Sequence, residues 1–323
     1  VNQDDGATEI FRFGALGDMV LLTPVLRALA ERHGAPCDVV GSGRFLGELY
    51  AGLPFVGERF IIGSRKTPYW FNPDQWALVR WLRARQPAPV YVLQSAALSV
   101  RLIQRGCTVS GSVLATPTRQ REHVVEHYAR LTGTVPSGVE LAASTTDKNA
   151  VDAWLEGLGL AGSELVLIQP GNNRTMRKGV ANAQDRKFWP PDRWLAVIRG
   201  VLAERPHAHV LIVGAPSETT VTEPLAASAN DVRVRSVADD LPLRRLFALF
   251  TRAHSLISVD TGPAHAAVAC GCPVTVLFAA ADPRRSPITK NIVASFSTEF
   301  TAAQKEADEA AREHLILEKQ FKG

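Results

Sequence analysis

Asp18 closes the turn GALGD (14–18), between the apolar run EIFRF and the amphipathic stretch MVLLTPVLRAL. Glycine-rich strand-to-helix turns ordinarily attract anions, because the helix N-terminus carries partial positive charge. An acid at that mouth is either a helix cap, a role Asp fills well, or a group with chemistry of its own. The segment SVDTGPAH (258–265) sets Asp260, Thr261, Gly262 and His265 around a second such turn. Pro263 takes the favoured first helical position, so the amides of Thr261 and Gly262 offer an anion site with a helix dipole behind them. The Thr261 hydroxyl and His265, one turn on, can add donors to a diphosphate. An Asp cap beside a core histidine is the plain alternative. GAPSE (214–218) puts Glu218 just past a strand, where a carboxylate receives ribose hydroxyls; a Glu favoured by the helix dipole fits equally. The long polar loop in 170–189 holds Arg174, Arg177, Lys178, Arg186 and Lys187. Such cations can offset charge building on a departing nucleotide, or form a solvated flap.

The elements that must position these turns repeat one plan. EIFRF, CDVVG (37–41) and PVYVLQ (89–94) read as strands in the first half. ELVLIQPG (164–171), HVLIVGAP (209–216), HSLISVDTG (254–262) and PVTVLFA (273–279) do so in the second. Helical patterns fill 190–205, 242–253 and 263–270, and a helix starts near Asn72-Pro73. Strands alternating with helices imply parallel sheets covered on both faces. The fold class expected is α/β, with two doubly wound, Rossmann-like domains whose strand ends face a central cleft. The seam is placed in ASTTDKN (143–149), giving domains 1–147 and 148–323, with a charged helix over 301–323 packing back on the first.

Bulk properties fit a soluble protein: 46% hydrophobic and 21% charged residues over 323 positions. Cys37, Cys107, Cys270 and Cys272 form no CxxC pair, which suits a reducing cytoplasm and ordinary packing. The N-terminus has no basic-then-apolar leader, and the apolar stretch 264–281 is broken by His265, Gly271 and Pro273, so no membrane span is expected. Ten basic residues between Arg59 and Arg121 face only Asp74 in that window, a candidate surface for phosphorylated glycolipid, bilayer headgroups or nucleic acid. The run PYWFNPDQWALVRWLRARQ (68–86) sets Trp70, Trp76 and Trp81 among arginines; they serve either a core or a headgroup-facing helix. Other patterns are discounted. GSGRFLG (41–47) misses the dinucleotide spacing, and no P-loop occurs. His123-Val-Val-Glu126-His127 matches a zinc pattern without a third ligand. No Asp-x-Asp exists to hold a divalent metal against a sugar nucleotide.

Taken together, RFGALGDMVLLTPVLRAL, the QPG strand end, RKFWPPDRW, GAPSE and SVDTGPAHAAVACGCPVTVLF resemble the ADP-heptose:lipopolysaccharide heptosyltransferases, glycosyltransferase family nine. The resemblance runs from about residue 9 to about 285 and implies a GT-B fold with acceptor bound by the first domain and sugar nucleotide by the second. It implies inverting, metal-independent transfer from an ADP-sugar, with no cofactor. By motif, Asp18 is similar to the general base and Lys187 to the phosphate-binding lysine. Glu218 takes the ribose, Leu241 packs the adenine, and Asp260, Thr261, Gly262 and His265 cradle the diphosphate. Gly14 and Gly17 let the acceptor approach the backbone. Such an enzyme works at the inner face of the cytoplasmic membrane on a lipid A–core acceptor, and nucleic acid is not among its partners. Transfer of another sugar, or a silent protein that only binds nucleotide or glycan, are the alternatives. After Asp282-Pro283 the chain leaves the family pattern, running through SPITKNIVASFSTEF into a polar helix.

Overall fold

A computed structural model describes residues 8–87, 89–93, 97–107, 113–114, 122–172, 176–177, 180–181 and 187–277. Of the basic residues singled out above, Arg119, Arg121, Arg174, Lys178 and Arg186 lie outside them, as does the side chain of Arg177 and the whole 301–323 segment. The chain divides into two compact units, Val1–Ala142 and Ala143–Gly323. The polar stretch read as a seam is the start of a helix: Ser144 Oγ accepts the Asp147 N–H at 3.1 Å, and Asp147 returns the bond to the Ser144 N–H at 2.8 Å. That reciprocal cap spends the Ser and Asp on helix initiation.

The first unit holds β1 (Glu9–Phe11), α1 (Leu16–Val20), α2 (Thr23–His33), β2 (Cys37–Gly41), α3 (Phe45–Leu49) and β3 (Val56–Ile61). It continues through α4 (Pro73–Arg85), β4 (Val90–Val92), α5 (Ala97–Gly106), β5 (Val113–Leu114) and α6 (Val124–Thr132). Its five strands pair in parallel in the order β3-β2-β1-β4-β5. Phe11, Val40, Val90 and Val92 pack on one face against Leu78 and Leu82 of α4 and Leu102 and Ile103 of α5. The central strands are buried along their whole length, as a sheet covered on both faces demands.

That face also buries charge. Glu9 lies in register with Asp38, and neither Glu9 carboxyl oxygen has a partner among the described residues. Arg85 serves Asp38 at 2.5 Å and Glu58 at 3.1 Å but not Glu9. Burial, reinforced by Asp38, pushes the Glu9 carboxyl well above its ordinary value. The same surroundings push the Cys37 thiol up to about 12, burial being the larger cause.

The second unit holds α7 (Thr145–Gly157), β6 (Leu165–Gln169), a ribbon of β7 (Met176–Arg177) and β8 (Val180–Ala181), α8 (Pro191–Glu204) and β9 (His209–Ile212). Then come α9 (Thr219–Ala229), β10 (Val234–Ser236), α10 (Leu243–Phe250), β11 (Ser255–Val259), α11 (Gly262–Ala269) and β12 (Val274–Leu277). The order β10-β9-β6-β11-β12 is again parallel throughout. Val166, Ile168, Val210, Ile212, Ile257 and Val259 meet Trp194, Ile198 and Val201 of α8. Burying an aromatic such as Trp194 is worth about 3–5 kcal/mol against Ala. The stretch read as an uninterrupted loop carries the antiparallel β7–β8 ladder, too short to show in composition. Cys270 and Cys272 are free thiols that burial pushes up to about 12.

Candidate active site

In a doubly wound sheet, ligands bind at the carboxyl ends of the strands where the winding reverses. In the first unit the chain winds outward through β1, β2 and β3 and then returns to β4 on the other side of β1. The reversal therefore falls between β1 and β4, and the turn after β1 is GALGD. Asp18 is the third residue of α1, and its Oδ2 accepts the Ala15 N–H at 3.0 Å. Its Oδ1 pairs with Arg12 Nη2 at 3.0 Å. Arg12 in turn donates from Nε to the Tyr128 hydroxyl at 2.7 Å and from Nη1 to the Phe13 carbonyl at 3.3 Å. Tyr128 is buried on α6, and burial pushes its phenol up while Arg12 offsets part of the rise. Gly14 is required for this arrangement: a Cβ there would lie 2.5 Å from the Asp18 Cβ. Gly17 is the second residue of α1. Pro24 near the start of α2 lacks an N–H, which breaks the α1–α2 run and keeps α1 to five residues.

The cap and the carboxylate's further chemistry thus coexist. One oxygen holds the helix and the other is held by Arg12, while the side chain remains 39% exposed. Arg12 and Tyr128 escaped sequence reasoning. The signal for the first was a cation inside an apolar strand, which must find a partner to be tolerated. The second is 116 positions away and carries no local signal.

In the second unit the winding reverses between β6 and β11, so Pro170–Gly171–Asn172 and Asp260–Thr261–Gly262 flank the switch. Thr261 is the N-cap of α11 with no side-chain cap bond, and Pro263 sits in the first turn. The leading amides of this helix have no partner within it. Lys187 donates from Nζ to both the Asp260 carbonyl and Oδ2, each at 2.7 Å. His265 Nε2 stands 3.8 Å from Asp260 Oδ1. Lysine, aspartate, threonine and histidine therefore gather at one helix mouth, 73 positions apart in the Lys187–Asp260 case.

Glu218 ends a single 3-10 turn, Pro216–Glu218, after β9. Its Oε2 accepts the Ala215 N–H at 2.7 Å. Burial raises its carboxyl above the ordinary value, and the Ala215 N–H and the Gln169 side chain offset part of that rise. Glu218 Oε1 and Gln169 Oε1 are buried acceptors without a donor among the described residues, as a site awaiting hydroxyl groups would leave them. Gln169, at the end of β6, also escaped sequence reasoning. Leu241 is buried after the turn Ala238–Asp240, which packs on the Glu218 turn.

Two further patterns resolve. His123 caps α6, its Nδ1 accepting the Val125 N–H at 3.1 Å, while His127 pairs with Glu122 at 3.1 Å. No group of three metal-ligating side chains converges among the described residues. The basic window is less uniform than its sequence implies, because Asp38 and Glu58, from outside it, pair with Arg85.

The family model of glycosyltransferase family 9 (heptosyltransferase) matches residues 114–315. The chain belongs to glycosyltransferase family 9. A member of that family from Veillonella parvula DSM 2008 superposes with a TM-score of 0.75 at 16% identity, over 98% of this chain and 99% of that one. The ADP-heptose lps heptosyltransferase II of E. coli gives 0.69 at 16% identity, over 97% and 99%. The E. coli heptosyltransferase WaaC, solved with ADP-2-deoxy-2-fluoro heptose, gives 0.63 at 18% over 86% and 90%. A search of curated protein sequences gives no match. The fold shared with these structures is GT-B, built from two Rossmann-like units, as the alternating strands and helices led one to expect. No helix among the described residues is long and apolar enough to cross a membrane.

Proposed function

We propose that this family 9 glycosyltransferase moves heptose from ADP-heptose to the inner core of lipopolysaccharide with inversion and without a metal. The observation that carries the reading is the Lys187–Asp260–Thr261–His265 group at the mouth of α11. An ammonium, a histidine and open helix amides at one switch point suit a diphosphate. Lys187, freed from Asp260 or shared with it, offsets charge as the nucleoside diphosphate leaves. Thr261 and Gly262 amides hold phosphate oxygens. Glu218 receives the ribose hydroxyls through Oε1, with Leu241 against the base. The E. coli heptosyltransferase WaaC binds ADP and ADP-2-deoxy-2-fluoro heptose, which favours adenine among nucleotides.

On the acceptor side Asp18 takes the hydroxyl proton as that oxygen attacks the anomeric carbon. The bond from sugar to diphosphate breaks as the new one forms, and the proton ends on Asp18. A carboxylate suffices because the hydroxyl becomes acidic only near the transition state. The acceptor is a lipid A–core molecule met at the inner membrane face.

Calorimetric titration with ADP, UDP, GDP and NAD, without added metal, tests the reading. Selective ADP binding is expected. A preference for UDP or GDP keeps the transfer and changes the sugar donor, and no binding to any of them overturns the diphosphate site.

A further inference from the structure

The three tryptophans of the 68–86 run have divided fates. Trp81 packs against Phe60 with ring centres 5.8 Å apart, lies under Arg85, and donates from Nε1 to Glu58 at 3.1 Å. Trp70 and Phe71, by contrast, are 71% and 77% exposed, and Trp76 is 43% exposed. With Val135 and Val232, they are the large hydrophobic side chains left in the open among the described residues. Large aromatics in water cost free energy unless something covers them.

Their exposure is built in. Asn72 is buried and donates from its side chain to the Ser64 carbonyl at 2.6 Å, while its Oδ1 caps α4 through the Gln75 N–H at 3.2 Å. Gln75, also buried, donates to the Thr67 carbonyl at 3.2 Å, and Asp74 accepts the Gly63 N–H at 2.8 Å. Tyr69 is clamped under the Arg105 guanidinium at 4.6 Å and meets Trp70 edge-on at 5.5 Å. Asn72, Asp74 and Gln75 are thus spent on holding the turn, while Trp70 and Phe71 are left exposed. Arg65, Lys66 and Arg80 are exposed around them, with Arg80 one helical turn beyond Trp76. The acid of this stretch, Asp74, is occupied in the backbone bond just described.

The turn follows β3, so it stands at the carboxyl end of the same parallel sheet that carries Asp18. Arg65 bridges the two, its guanidinium 5.6 Å from the ring of Phe13, the residue before Gly14. Aromatic side chains ringed by cations match the interfacial zone of a bilayer, where rings sit among headgroups and Lys and Arg meet lipid phosphate.

We propose that Trp70, Phe71 and Trp76, with Arg65, Lys66 and Arg80, dock the first unit onto a bilayer containing anionic lipid. Docking there turns the Asp18 end of the sheet toward molecules anchored in that bilayer. This deepens the acceptor side of the proposed reaction, yet its test needs no donor or transfer.

The full chain is sedimented with vesicles of phosphatidylcholine alone and of phosphatidylcholine mixed with phosphatidylglycerol. Binding to the mixed vesicles is expected, with partitioning lowered at least about tenfold in Trp70→Ser/Phe71→Ser and lowered by salt in the original chain. Circular dichroism and thermal melting confirm that the doubly substituted chain folds; should it not, Trp70→Ser alone, with brominated lipid quenching its fluorescence relative to the original, gives the same readout. Equal binding to both vesicle types, no binding, or full retention of binding without Trp70 and Phe71 overturns the proposal. Failure of ADP to bind while vesicle binding persists would sink the transfer reading and leave the docking surface standing.

Discussion

The two units are wound alike, and each places a carboxylate paired with a cation at its switch point, arranged differently. After β1 the turn presents a carboxylate, held by one backbone N–H and one arginine. After β11 the turn presents open helix amides, with an ammonium and an imidazole gathered on Asp260. Topology places both turns at the carboxyl ends of parallel strands, and on the proposed reading one takes a proton and the other holds a diphosphate. The helix dipole favours an anion at each mouth. At the first, Asp18 is bonded back onto the Ala15 N–H of its own turn; at the second, Asp260 is turned to Lys187 and no side chain caps α11.

The largest effect expected from breaking this division is Asp18→Asn. Transfer rate should fall by roughly 10²–10⁴-fold, read as nucleotide release in single-turnover kinetics, while calorimetric ADP affinity stays within about twofold. A loss of ADP affinity instead would mean that the two switch points do not divide the work. Gly14→Ala should follow, because the added methyl meets the Asp18 Cβ. Displacing the carboxylate costs rate on the order of tenfold or more, and overpacking costs about 1–3 kcal/mol in chemical denaturation. On the other side, Lys187→Ala should weaken ADP binding by roughly ten- to a hundredfold, the worth of one charge-assisted contact, about 1.5–3 kcal/mol.

Glu218 sharpens the comparison through pH. Its carboxyl is raised by burial, and the ionised form accepts ribose hydroxyls in stronger, charge-assisted bonds than the protonated one. ADP affinity should therefore begin to fall, as pH is lowered, above the ordinary carboxylate range, and Glu218→Gln should flatten that dependence at a lower plateau. The smallest effect belongs to Glu9, at the opposite end of β1 from Asp18. Its native pKa is raised, so between 4.5 and the native value the folded chain holds a proton that the unfolded chain releases. Stability from this group is full below 4.5 and falls as pH rises, by at most about 1.4 kcal/mol per pH unit. Urea midpoints measured across that range should lose this slope in Glu9→Gln.

How much of this was legible follows from where each signal lies along the chain. Buried parallel strands are uninterrupted apolar runs ending in polar turns, so β1, β2, β4, β6, β9, β11 and β12 were visible, and with them every turn of the site. The strand β3, VGERFI, lies at the sheet edge with only Val56 buried and shows no such run. The strand β5 is two residues long, and β10, VRS, has an exposed arginine at its centre, so neither shows an apolar run. Asp18, Glu218 and Asp260 were legible because each acid lies in the polar segment that follows an apolar strand. Arg12 with Tyr128, and Gln169 with Glu218, were not, because their pairing is a fact of the folded chain across sequence distance. The tryptophans show the same limit: Trp81 and Trp76 share a helix and a composition, and only packing separates the covered one from the bare one.

The cysteines supply a clock for each unit. Cys37 and Cys107 belong to the first and Cys270 and Cys272 to the second, with every thiol pKa raised by burial. A thiolate is the species that reacts, so a labelling reagent at neutral pH meets almost none while the fold is closed. The rate at which each pair is alkylated then reads the opening of its own sheet, and mass spectrometry of the labelled peptides separates the two. One native protein thereby reports, without any added probe, which of its halves lets go first.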